Sequence, residues 1–199
     1  MRVVSQLILL IILGVSSSAT AQNGPDAPLG LAWGMSPSDL SGRGIELTDF
    51  SGSDFGKTYV AMKLEKAVAD QEATLLSFGF NDKLWRILIV SREFKNDPHG
   101  TEVLVRYREL SSVLSEKYGK PKELHRLGGS IYSEPRYFLA GIRGGESSWY
   151  SNFDSRTLFI QLGITASDSS TGRWRLIYEN KSMRKEFDAS KRTKEKGAL

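Results

Sequence analysis

Four groupings of residues have types that could do chemistry. Gly52-Ser53-Asp54-Phe55-Gly56-Lys57-Thr58 has the outline of a phosphate-binding loop. Such a loop needs four residues between its glycines, so that successive backbone N–H groups wrap the phosphate, and a helix must follow. Here three residues separate the glycines and an alternating strand pattern follows, so a β-turn is expected. Ser182-Met183-Arg184-Lys185 matches the Ser-x-x-Lys nucleophile pattern. That chemistry needs a buried lysine of lowered pKa beside the serine, whereas this copy lies in a strongly basic terminus. Asp97, His99 and His125 are metal-ligating types, but no spacing brings His125 to the other two. Glu65, Asp70 and Glu72 offer paired carboxylates. Acid–base work needs a buried pair in a cleft, and these three read as a polar connection between strands. The 199 residues include no cysteine and two histidines. A disulfide framework, a thiolate zinc site, an iron–sulfur cluster, a cysteine nucleophile and a three-histidine metal site are therefore excluded. No catalytic residue, metal or cofactor is assigned.

The remaining signal is aromatic and basic. Trp85, Trp149 and Trp174 fall on expected strands, and Arg173 and Arg175 flank the last of them. Tryptophan and arginine are favoured at binding hot spots, while tryptophan also fills helix–sheet cores. Alternation over residues 172–178 puts Trp174, Leu176 and Tyr178 on one face. Arg173, Arg175 and Ile177 fall on the other, which is then at least partly wet. Trp149, Arg173, Trp174 and Arg175 are the candidate partner-binding residues.

The elements that must position them follow from patterning. Ser36-Pro37-Ser38-Asp39 has an N-cap, a first-position proline and a first-turn acid, so a short helix is expected, ended by Gly42 and Gly44. Strands are expected over residues 45–50, 57–64, 73–80 and 84–92, with Trp85, Ile87 and Ile89 sharing a face. Asn81-Asp82-Lys83 joins the last two as a hairpin. Asn96-Asp97-Pro98 opens the main helix, on which Val103, Tyr107, Leu110, Leu114 and Tyr118 form one apolar stripe. Gly119 and Pro121 end it. A second short helix from Pro135 to about Gly144 precedes strands at 147–153, 156–165 and 172–180. Hairpin-length gaps are too short for crossover helices, so the sheet is antiparallel, and the fold class is α+β with helices on one face. The order, helix then strands twice over, divides the chain into two similar halves.

The termini carry different information. Residues 1–21 read as a secretory signal peptide: Arg2, an apolar core from Leu7 to Val15, and the cleavage pattern Ala19-Thr20-Ala21. Export to the periplasm or the exterior is expected. Residues 22–29 read as a linker, 30–180 as one domain and 181–199 as a solvated basic tail. The formal net charge is +4. The tail alone sets seven Lys and Arg against Glu186, Asp188 and Glu195, so the body is close to neutral and a nucleic-acid face is not supported. The tail offers peripheral contact with an anionic membrane.

Gly30-Leu31-Ala32-Trp33-Gly34-Met35-Ser36, Asn81-Asp82-Lys83-Leu84 and Tyr118-Gly119-Lys120-Pro121 resemble pieces of small exported bacterial α+β domains. The element order is similar to the β-lactamase-inhibitor-like group, which includes outer-membrane assembly lipoproteins. The chain departs from those lipoproteins in having no anchoring cysteine. A bacterial family of unknown function that shares only the fold is the second resemblance. The first implies a non-catalytic domain that binds a protein or envelope component. The alternatives are an enzyme with a cleft site and a surface-adhering protein that uses its basic tail.

Overall fold

The computed structural model describes residues 26–198, so the expected export segment lies outside the described residues. The fold is α+β, as the patterning requires. In chain order the elements are α1 (Pro37–Gly42), β1 (Glu46–Asp49), β2 (Lys57–Met62), β3 (Gln71–Gly79), β4 (Arg86–Ser91), α2 (Thr101–Tyr118), β5 (Lys122–Arg126), α3 (Phe138–Gly144), β6 (Ser148–Asp154), β7 (Leu158–Ala166), β8 (Gly172–Asn180) and α4 (Lys181–Ala198). The strands form one antiparallel sheet in the order β1-β2-β3-β4-β8-β7-β6-β5. The first half is α1 followed by β1 to β4; the second is α2 and β5, then α3 and β6 to β8. The first strand of each half lies at an edge and the fourth at the centre, where Leu88 of β4 pairs with Ile177 of β8.

One face of the sheet is closed by α2 and α3, which lie against β6 and β7, α2 reaching β8 as well. Ile87, Ile89, Ile160, Leu162 and Trp174 point to that side, all but fully buried. They meet the α2 stripe, whose Val103, Tyr107, Leu110 and Leu114 are buried and whose Tyr118 is half-buried. The helix begins later than Asp97-Pro98 implies. Gly100, at φ +67°, precedes its first turn, and a Cβ there would lie 2.4 Å from Phe138. Asp97 still caps α2, its carboxylate accepting from the Thr101 and Glu102 amides at 2.8 Å each. At α1 the expected cap forms in full: Ser36 and Asp39 exchange side-chain-to-backbone bonds in a capping box.

Four further expectations change. The linker does not extend to residue 29: Asp26 bridges to Ala32, and Ala27 is buried in the core. Residues 122–126, which have no alternating apolar pattern, form the exposed edge strand β5, recruited by backbone pairing to β6. Trp85 leaves the main core. Leu84 takes the core position, and Trp85 joins a separate cluster with Phe55 and Phe187. The tail is a helix rather than a frayed end. Asn180 caps it, its Oδ1 accepting from the Ser182 and Met183 amides at 3.2 Å each. Its lysines, arginines and glutamates are good helix formers. Phe187 is buried where the helix docks.

Candidate functional site

Among the described residues, no helix lies across the face of the sheet opposite α2 and α3. The residues of that face alternate with the core residues. Val60, Leu75, Leu88, Val90, Phe159 and Gln161 are half-buried, and Arg175 is exposed. On this face lies a groove of about 600 Å³. Leu75, Leu88, Ile177 and Phe159 line it together with Arg86, Arg175 and Arg184. One wall is the β1–β2 connection, residues 50–56. Thr58 Oγ1 holds that wall, bonding to Ser53 Oγ at 2.8 Å, the Gly56 carbonyl at 3.2 Å and Ser77 Oγ at 3.1 Å. The sequence that resembles a phosphate loop is thus the groove's wall, followed by a strand as expected.

At one end of the groove sits a charge network. Arg86 Nε donates to Glu179 Oε1 at 3.0 Å, and Arg184 Nη1 donates to Glu179 Oε2 at 3.0 Å. Arg184 Nε also bonds to both Asp188 oxygens at 3.0 Å. Arg86 is only 7% exposed, and its guanidinium lies 3.9 Å above the Phe55 ring centroid. Burial pulls its pKa down and the Glu179 carboxylate pulls it up; an arginine stays charged under such a shift. A second hollow of about 570 Å³ adjoins this end, sharing Phe159, Glu179 and Arg184 and rimmed by Arg156, Lys181 and Lys185.

Of the candidate residues, Arg175 reaches the groove. It lies beside Gly163, where an added Cβ would stand 3.7 Å from Arg175 Nε and 3.3 Å from Tyr150 Cβ. Arg173 points the same way but is held by Glu72 and by Glu93, the latter at 3.0 Å. Trp174 is a correction: it is fully buried against the helices, so no partner reaches it. Trp149 turns to the helix side as well. Its ring stacks on His125 at 4.3 Å and meets Phe138 edge-on at 5.4 Å. Arg86, Glu179 and Phe159 were not singled out by sequence, and Phe55 only as part of the loop Gly52 to Thr58. The alternation on each strand places Arg86 and Glu179 on the open face, but no local pattern reveals that strands 93 residues apart pair there.

A second polar constellation lies between α2 and the β5–β6 edge. Tyr107 Oη bonds to Ser151 Oγ at 2.6 Å and to His125 Nε2 at 3.0 Å, and His125 Nδ1 lies 3.7 Å from Glu123. The acid, imidazole and hydroxyl groups have the types of a nucleophile relay. However, Ser151 is fully buried and Tyr107 nearly so. Burial pushes the Tyr107 phenol up to about 12. The chain of bonds fastens the helix to the sheet.

The other candidate chemistry is dispersed. Glu65 pairs with Arg43, Asp70 with Arg92 and Arg106, and Glu72 with Arg173. Ser182 Oγ donates to Asn180 at 2.8 Å as part of the α4 cap. Among the described residues no group of three His, Asp or Glu side chains is placed to hold a metal. None of the described helices is long and apolar enough to cross a membrane. No family model, curated protein or solved structure matches this chain.

Proposed function

We propose that this is an exported, non-catalytic binding protein whose open sheet face holds part of a protein partner in the cell envelope. One observation carries the reading. Two helices close one side of the sheet, while the other side presents apolar side chains under an arginine rim in a groove with a fixed wall. Open clefts with an apolar floor and a few placed charges are where ligands and partners are taken up. A catalytic reading lacks a reachable nucleophile in the one relay-like constellation, because its hydroxyls are buried.

The test is site-specific photocrosslinking in cells that export the protein. A photoreactive phenylalanine analogue replaces Phe159 in the groove, with one at exposed Val113 on α2 as control. The expected outcome is one discrete adduct formed from position 159 and absent from position 113. Identical patterns from the two positions, or no adduct from 159, would overturn the reading.

A further inference from the structure

The groove's charges are not gathered in one spot. Arg175, Ile177 and Glu179 alternate along β8 on the open face, and Arg86 lies across from Glu179 while Leu88 lies across from Ile177. A strand rises about 3.3 Å per residue, so the β8 positions of Arg175 and Glu179 lie about 13 Å apart along the backbone. Leu88 and Ile177 fill the interval. The two ends share a further property: each has donor capacity that the protein does not use. Arg175 has no ion-pair partner among the described residues. Arg86 donates through Nε alone; neither terminal nitrogen bonds to a protein atom among the described residues, although the side chain is more than nine-tenths buried and lines the groove. Its two terminal nitrogens are not among the buried unpartnered atoms; they open to the groove, where an acceptor on a ligand can meet them. Glu179 occupies Nε and fixes the plane of the fork, which is the arrangement that presents the remaining nitrogens to a carboxylate.

We propose that the groove recognises an extended protein segment carrying two carboxylate side chains four residues apart with an apolar side chain midway. One carboxylate completes Arg86, the other meets Arg175, and the apolar side chain lies on Leu88 and Ile177. The spacing follows from matching strand rise: residues i and i+4 of an extended segment span the same distance as Arg175 and Glu179, and i+2 falls between them on the same face. Carboxylates fit better than dianionic phosphates because Glu179 remains beside Arg86 and repels a second negative charge. The inference rests on the proposed binding face and names what that face selects.

The probe is a labelled, end-blocked heptapeptide with glutamate at its second and sixth positions, leucine at its fourth and glycine elsewhere, titrated into the protein by fluorescence anisotropy. Saturable binding is expected, weakened about tenfold when either glutamate becomes glutamine, since a charge-assisted hydrogen bond contributes that much. Moving the glutamates to two residues apart should weaken it similarly. The exposed Arg175→Gln variant keeps the fold measurable and makes a sharper demand. There a single glutamine should cost nothing further, because the near-symmetric peptide turns to place its remaining glutamate on Arg86. The peptide with both glutamates replaced should still lose binding. Equal affinity for the glutamate and glutamine peptides, indifference to spacing, or no binding at millimolar peptide would overturn the two-carboxylate rule. Should that happen while the Phe159 adduct persists, the binding face stands and its selectivity lies elsewhere; loss of both removes the face itself.

Discussion

Phe187 of α4 stacks on Trp85 with 4.8 Å between ring centroids and 20° between planes. The same ring stacks on Phe80 at 5.1 Å. One aromatic side chain therefore anchors a helix whose other described residues are half-buried or exposed.

Phe187→Ala should release α4. Truncating a buried phenylalanine costs about 3–5 kcal/mol, and Phe187 is the only buried residue of the described helix. Fluorescence of Trp85 should shift to the red, and amides of residues 182–198 should exchange faster, while those of α2 stay protected. Lys191→Ala, at an exposed position of α4, should change stability by less than about 0.5 kcal/mol. Unaltered exchange in the Phe187 variant would mean that α4 is held by something other than this stack.

The contrast between Leu110 and Glu109 tests the main helix. Leu110 is 8% exposed, whereas Glu109 is exposed and pairs with Arg106 at 2.7 Å. Leu110→Ala should cost about 2–5 kcal/mol in urea unfolding. Glu109→Ala removes a surface ion pair and should cost less than about 1 kcal/mol. Matching urea midpoints would show that α2 does not pack on the sheet through this stripe.

Much of this architecture is legible in local sequence because its signals are local. The α2 stripe, the capping box of Ser36 and Asp39, and the turn at Asn81-Asp82-Lys83 each lie within a few residues of one another. The order of helix then strands was legible too, although α3 interrupts the second run between β5 and β6. The site could not. Arg86 and Glu179 look like ordinary alternate positions until β4 and β8 pair, and that pairing is set by the meeting of two halves rather than by any neighbouring residue. The buried Trp174 and the stacked Trp149 misled for a related reason: composition marks a tryptophan as an anchor without saying which face it anchors. Phe187 misled in the opposite way, being a single aromatic in a charged run whose burial depends on Trp85 and Phe80.

Tyr107→Phe tests the polar tie between α2 and β6. The substitution keeps the ring and removes the hydroxyl that bonds to Ser151, leaving a fully buried Ser151 Oγ with no partner. An unsatisfied buried group costs about 1–3 kcal/mol. Adding Ser151→Ala should recover most of that loss, because it removes the buried hydroxyl left without a partner; His125 Nε2, the other partner of Tyr107, lies on the exposed β5 edge where water replaces the bond. Strict additivity of the two substitutions in a double-mutant cycle would contradict the bond.

His125 gives the fold a dependence on pH. Partial desolvation of its ring against Trp149 holds its pKa below the ordinary histidine value of about 6.5; Glu123 opposes and Arg108 pushes the same way. The folded state therefore binds the proton less readily than the unfolded chain does. The stability that His125 contributes is complete above the unfolded value and is lost as pH falls through it toward the lower folded value. Thermal melts from pH 7.5 down to pH 5 should show the wild-type midpoint falling more than that of His125→Asn, which keeps a polar side chain at the β5 edge without the titration. Hydrogen exchange should find the added opening at β5 and at the β6 amides paired with it, since His125 pairs with Trp149 across that edge. Parallel pH profiles for the two proteins, or a wild type that gains stability on acidification over this range, would show that His125 is not held neutral against the sheet.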